Sequence, residues 1–322
     1  NNSAGEGAGL SNNNFSSPAV LNCSFLGNSS ESSGGGIYNG SSGGSITNCI
    51  FSGNIAVTNR GGAICTFNSI TLTNCTIAAN KAIFGGGIWD FNKLAVLKNC
   101  ILWDNTASTG NNIYPPSGSA TISNNIVQGG YTGTGNININ PLFVSPLLAS
   151  AAPTTLGDYR LQSCSPAINI GNNDSIPLGI TTDLDQNPRI KFTTVDLGAY
   201  EVQTQDLTQS TWRGYNYNWD SVINWCGGYI PLATTNVTIP TGVTNYPVIS
   251  STANSKNLLL ANGSSIGLTN SGQININGNY TNNGSIITNN GTWIMAGSTA
   301  SQTFPGTAAT VNAMNNLEIK NA

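Results

Sequence analysis

The chain has 322 residues, only 7% of them charged, with ten Lys and Arg against thirteen Asp and Glu, a net charge of −3 and no His. So weakly acidic a chain offers no set of phosphate contacts and argues against nucleic acid as a partner, and no apolar run approaches the roughly 20 residues of a membrane helix. The missing His removes the commonest general base and the Ser-His and Cys-His nucleophile systems, while 39% hydrophobic residues at low net charge, beside 48 Asn, describe a chain that folds.

Apolar residues recur at a fixed interval over residues 1–135. Asn22-Cys23, Asn48-Cys49, Asn74-Cys75 and Asn99-Cys100 follow one another at almost equal spacing. Asn124-Asn125 is a fifth copy with Asn in place of Cys. An aliphatic lies three residues before each Cys position (Val20, Ile46, Leu72, Leu97, Ile122) and an apolar residue two after it (Phe25, Phe51, Ile77, Leu102, Val127). Asn follows five after it, at Asn28, Asn54, Asn80 and Asn105. Upstream run Gly-Gly-Gly-Ile at 34–37, Gly-Gly-Ala-Ile at 61–64 and Gly-Gly-Gly-Ile at 85–88, with degenerate copies at 7–10 and 110–113.

A period near 25 with three short apolar stretches predicts an all-β, three-sided, right-handed parallel β-helix. One strand comes from the Gly-Gly-x-Ile stretch, one from around the aliphatic before Cys, and one begins at Cys. Alternation turns Cys and the residue two later inward. Cys23, Cys49, Cys75 and Cys100 then stack, and because same-position side chains on parallel rungs point the same way they fit the disulfide torsion poorly. They read as free, small apolar residues. Cys65 lies on another face, and Cys164 and Cys226 either pair with each other or stay single. Asn22, Asn48, Asn74 and Asn99 are expected to form a corner ladder whose amides bond from rung to rung.

Among the rungs, Glu31, Arg60, Lys81, Asp90, Lys93, Lys98 and Asp104 form no paired constellation, so they read as solvated surface and no catalytic residue is assigned. Asp183, Asp185, Arg189, Lys191, Asp196 and Glu201 are denser, with six charged side chains between positions 183 and 201 of a chain that carries few. Asp183, Asp185 and Asn187 have the spacing that opens a calcium loop, although Pro188 stands where that loop needs Gly and no Glu completes it. The competing reading is a salt-bridged end cap, built by residues 136–201, that blunts the exposed edge of the solenoid. Apart from this calcium candidate no cofactor is expected, and zinc has no ligand cluster.

Gly-Gly-[Ala/Gly]-Ile paired with Phe-x-x-Asn (Phe25 to Asn28, Phe51 to Asn54) resembles the repeats of polymorphic outer-membrane proteins and related adhesins. Asn140-Pro141-Leu142-Phe143, Asp158-Tyr159-Arg160-Leu161, Ser165-Pro166-Ala167-Ile168 and Asp196-Leu197-Gly198-Ala199-Tyr200-Glu201 together resemble the closing segment of secreted Bacteroidetes-type β-helix proteins. The resemblance implies a pectin-lyase-like β-helix exported to the bacterial cell surface, by type IX secretion in the Bacteroidetes case. It does not imply lyase activity.

Residues 202–210 read as a linker and 211–322 as a second all-β module, a small β-solenoid or a sandwich. Its opening, from Trp212-Arg213-Gly214 to Asn224-Trp225-Cys226-Gly227-Gly228, resembles the start of repeated modules in large Bacteroidetes surface proteins. Short apolar runs at Val237–Ile239, Leu258–Leu260, Gln273–Ile276 and Trp293–Met295 are separated by Asn-Gly pairs that suit either hairpins or solenoid corners. Trp212, Trp219 and Trp225 read as the module's own core, with sugar stacking as the alternative. Asp174-Ser175-Ile176 and Asp220-Ser221-Val222 resemble an O-glycosylation acceptor, placing it at Ser175 and Ser221. Both chain ends read as cut within an element of a longer precursor.

The expected function is a non-catalytic spacer or adhesin stalk whose partners are neighbouring modules, further copies or surface glycans. The alternative is a carbohydrate-binding or carbohydrate-active β-helix. An ice- or glycan-binding face would need a regular outward ladder of Thr or aromatics, and only Thr47, Thr73 and Thr121 suggest one.

Overall fold

Three columns of parallel strands build the first unit in the computed structural model, which describes residues 1–13, 16–40, 43–92, 94–115, 121–297, 314 and 316–320, with the backbone alone at 288 and 289. The first sheet stacks Leu10–Asn12, Ile37–Asn39, Ile64–Thr66, Ile88–Asp90 and Ile113–Tyr114; the second stacks Ala19–Leu21, Ser45–Thr47, Ile70–Thr73, Ala95–Lys98 and Thr121–Ser123. The third stacks Ser24–Leu26, Ile50–Ser52, Thr76–Ala78, Ile101–Trp103 and Ile126–Val127. A short fourth column, Ser3–Glu6, Ser29–Ser33 and Ile55–Ala56, adds a side to the expected triangle.

The register is the one that the repeat spacing dictates. Val20, Ile46, Leu72, Leu97 and Ile122 are in-register neighbours, as are Phe25, Phe51, Ile77, Leu102 and Val127. Both columns point inward with Ile37, Ile64, Ile88 and Ile113 and make one continuous core. Phe25 and Phe51 stack at 4.7 Å with planes 2° apart, one rung spacing. Gly34, Gly61, Gly85 and Gly110 turn the chain into the first sheet with φ between +63° and +69°, where a β-carbon would be strained.

Residues after Val127 begin a sixth turn, with Val127 N–H donating to Ile137 O (3.0 Å) and Asn124 N–H to Thr134 O (2.9 Å). The segment that follows corrects the expected end cap. Phe143, Tyr159, Ala167 and Leu197 pack on Ile50, Ala78, Ile101 and Ile126, the outward side chains of the third sheet. The segment therefore runs back along the flank of the solenoid across several rungs. Thr154 N–H donates to Gly53 O (3.1 Å), Ala199 N–H to Thr76 Oγ1 (3.0 Å) and Gly198 N–H to Asn99 O (2.8 Å). The cause lies in the strands: left bare, Ile50, Ile101 and Ile126 would make a contiguous apolar stripe on the outside.

The chain divides into compact units Asn1–Gln203 and Thr204–Ala322, and the second unit's first strand, Gln209–Thr211, begins inside the stretch read as linker. Of the two architectures open for this unit, the structure has the solenoid. Gln209–Thr211, Asn236–Ile239, Leu258–Leu260 and Tyr280–Asn282 form one parallel sheet, Val248–Ile249, Ser265–Leu268 and Ser285–Asn289 a second, and Thr252–Ser255, Gln273–Ile276, Thr292–Met295 and Asn316–Ile319 a third. Val237, Leu258 and Tyr280 are in register, so its rungs are shorter than those of the first unit, where Leu72 is followed by Leu97 and Ile122. Asn283-Gly284 and Asn290-Gly291 are corners between parallel strands and close no hairpin.

Candidate functional site

The structure separates the repeat's two Asn positions by role. Asn22, Asn48, Asn74, Asn99 and Asn124 sit at the corner between the second and third sheets with φ from +50° to +56°, a left-handed conformation that Asn tolerates better than most residues. Their amides do not bond rung to rung as expected. Asn48 Nδ2–H donates to Thr182 O (2.6 Å), and Asn99 exchanges bonds with Asn172 (3.0 and 2.8 Å), so these side chains reach outward to the flanking segment. Neither amide atom of Asn74 has a hydrogen-bond partner among the described residues.

The rung-to-rung ladder belongs to the other Asn. Asn28 Nδ2–H donates to Asn54 Oδ1 (2.9 Å), Asn54 to Asn80 (2.8 Å), Asn80 to Asn105 (2.9 Å) and Asn105 to Asn112 (2.9 Å). The Oδ1 atoms of Asn54, Asn80 and Asn105 also accept backbone N–H bonds from the neighbouring rung. A smaller buried ladder links Asn12, Asn39 and Thr66 at 2.7 and 3.0 Å. Cys49, Cys75 and Cys100 are buried in one inward column and Cys23 packs against it; these four and Cys65 are free thiols. Burial pushes the Cys65 thiol up to about 12, which makes it a poor nucleophile.

The calcium candidate Asp183, Asp185 and Asn187 does not assemble. Asp183 is fully buried, with Oδ1 accepting from Asp185 and Asn187 N–H and Oδ2 from Glu201 N–H. Asp185 instead grips Arg160 through two bonds of 2.6 and 2.8 Å. No group of three or more His, Cys, Asp or Glu among the described residues is placed to hold a metal. What the stretch builds is a buried lock: Arg189 pairs with Glu201 at 2.8 Å and donates to Gly198 O and Tyr200 O. Glu201 and Asp196 in turn accept backbone N–H bonds from Asp196, Asn169 and Val202. Burial, with Asp196 beside it, pushes Glu201 up to about 8 against the pull of Arg189, and burial raises Asp196 to about 6.

Trp212, Trp219 and Trp225 are buried in the second unit's core, with edge contacts at 4.9 and 4.6 Å. Ser175 and Ser221 are half-buried, each at the edge of a single 3-10 turn. Among the rung charges, Lys93 lies outside the described residues, and Asp90 is no solvated residue: it is buried and accepts from Ala95 N–H (2.9 Å).

Arg60 leads to a feature that sequence reading missed. The outward column of the first sheet is Tyr38, Cys65, Trp89 and Tyr114. Phe67 and Phe91 flank it on the residues just past the strands, and Arg60 and Phe84, bridged in parallel, flank it on the other side. Phe67 contacts Tyr38 at 5.9 Å, Trp89 at 5.1 Å and Phe91 at 5.5 Å. The Arg60 guanidinium lies 4.3 Å from the Trp89 ring centre, a cation–π contact. Phe91 is 58% and Phe84 38% exposed at the edges of this aromatic surface.

No protein-family profile, curated protein or solved structure matches this chain. What the arrangement can do follows from its own chemistry. Rigid aromatics of low rotamer entropy, with one cation and a flat backing sheet, suit contact with another molecule. Part of the signal was present in the residue after two of the three Gly-Gly-x-Ile copies, Tyr38 and Trp89, with Cys65 after the other, but it needed the neighbouring columns to become a surface.

Proposed function

We propose that this chain is a non-catalytic structural and adhesive segment of a bacterial cell-surface protein, with repeats of the polymorphic-outer-membrane type. In this reading it is an exported spacer that makes contacts along its side, with neighbouring modules, further copies or surface glycans as partners. The observation that carries the reading is the aromatic patch of Tyr38, Phe67, Phe91, Phe84 and Tyr114, gathered around the buried Trp89 on the outward side of the first sheet, with Phe91 and Phe84 exposed. The fold's polarity points the same way, because its recurring Asn amides are engaged in ladders inside the rungs. The buried acids lend no support to a carbohydrate-active alternative, since Asp183, Asp196 and Glu201 bind backbone N–H groups and Arg189.

The test is retention of the labelled chain on intact bacterial cells and on mucin-coated surfaces. Phe84→Ser with Phe91→Ser alters only exposed rings and should lower retention at least about tenfold, the loss of one interface anchor. Equal retention would remove the aromatic surface from the reading. Release of reducing ends or unsaturated uronates from pectin or alginate would overturn the non-catalytic assignment.

A further inference from the structure

A cleft of about 560 Å³ opens between the rung corners that follow the third sheet and residues 148–150 of the flanking segment, a volume in the range of small-ligand sites. None of the aromatic residues described above lines it. Its walls carry Lys81, Asp104, Thr106, Asn111, Gln128 and Leu148.

Asp104 marks it as unusual. The residue four after each Cys position has a left-handed backbone in every rung: Gly27 (φ +60°), Gly53 (+60°), Ala79 (+56°), Asp104 (+52°) and Gly129 (+85°). Three of the five are Gly, as the conformation favours; the fourth rung alone puts a carboxylate there, and it does so on the cleft wall. Asp tolerates this backbone better than most residues, so the corner can present a carboxylate to the cleft. Gln128 holds the Asp104 group at two points, its Oε1 accepting from Asp104 N–H (2.7 Å) and its Nε2 donating to Asp104 Oδ1 (3.3 Å). Among the described residues, Asp104 Oδ2 has no hydrogen-bond partner and Lys81 makes no ion pair. Asn111 Oδ1 accepts from Ala107 N–H (2.9 Å), which leaves its Nδ2 as a donor. Leu148, 65% exposed, supplies an apolar wall.

We propose that this cleft binds a neutral saccharide unit, with Asp104 and Gln128 as its fixed polar edge, Lys81 and Asn111 as donors and Leu148 against the apolar face of the ring. One ammonium and one carboxylate cancel, so the site favours neither an acidic nor a basic ligand. Its mix of donors and acceptors matches hydroxyls, which are both. The inference goes beyond the adhesive reading and does not depend on the aromatic surface.

Saturation-transfer NMR on the whole chain tests it, with cellobiose, maltose, lactose and N-acetylglucosamine as probes and galacturonate and glucosamine as charged controls. Asp104→Gly introduces the residue that Gly27, Gly53 and Gly129 use at the same left-handed backbone, so this variant is expected to fold, which its circular dichroism spectrum checks. At least one neutral probe should bind, more strongly than either control, and Asp104→Gly should weaken it about tenfold, the loss of one charge-assisted hydrogen bond. The Phe84→Ser/Phe91→Ser chain should bind as the unaltered one does. The proposal is overturned if no neutral probe binds, if a charged control binds better, if Asp104→Gly binds equally, or if the Phe double variant loses the signal instead.

Discussion

Asn74 and Asn80 belong to the same rung and are both fully buried, yet their side chains do different work. Asn80 Nδ2–H donates to Asn105 Oδ1 and to the Phe51 and Ala78 carbonyls, while its Oδ1 accepts from Asn54 N–H and Nδ2–H. Removing that amide leaves several buried groups unpaired at about 1–3 kcal/mol each. Asn74 contributes a left-handed backbone and no side-chain bond among the described residues. Asn80→Ala should therefore destabilise the chain by about 3 kcal/mol or more in urea unfolding, whereas Asn74→Gly should cost less than about 0.5 kcal/mol, since Gly accepts that backbone freely. Equal losses at the two sites would show that the ladder is not what holds the rungs. Spacing alone reveals both Asn columns, but it carries no information on which way a side chain leaves the corner. The left-handed φ decides that, and so the bonding role belonged to the column five after Cys.

At the scale of an element, the flanking segment is held in shape by buried ionisable side chains of its own, with Arg189 paired to Glu201 inside it. Glu201 is raised to about 8 and Asp196 to about 6, both above their ordinary values of about 4.3 and 3.9 in an unfolded chain. A carboxyl whose folded value is raised binds its proton more tightly in the native state. Its contribution is full below the unfolded value and is lost as pH rises through the folded one. The first unit should then melt at a higher temperature near about pH 5 than near about pH 9, and Glu201→Gln should flatten the upper part of that slope. A melting temperature that rises over the same range would contradict the raised values that burial gives these acids. The position of this segment was not legible in the sequence, because residues 140–201 have no period and the apolar outward residues that receive them, Ile50, Ile101 and Ile126, read as ordinary strand alternation. The aromatic surface escaped for a related reason: Tyr38, Phe67, Trp89 and Phe84 come from three different columns, each irregular when read alone.

For the whole molecule the question is whether a solenoid opens rung by rung. Bare repeat stacks approach a one-dimensional chain of nearest-neighbour contacts, in which a weakened rung frays locally. The first unit adds contacts that skip neighbours: the flank bonds to Asn48 and Gly53 in the second rung, Thr76 in the third and Asn99 in the fourth, so a single segment is tied to three successive rungs. Opening any one of these rungs must also break the flank's attachment to it. Phe51→Ala, which removes a fully buried ring stacked on Phe25, should cost about 3–5 kcal/mol. Native-state hydrogen exchange on the whole chain should show the loss at Ile77 and Leu102 N–H as well as at rung two, in one cooperative step. Protection lost in rungs one and two alone, with Leu102 and Gly198 N–H unchanged, would mean that the flank lies on the solenoid without coupling its rungs.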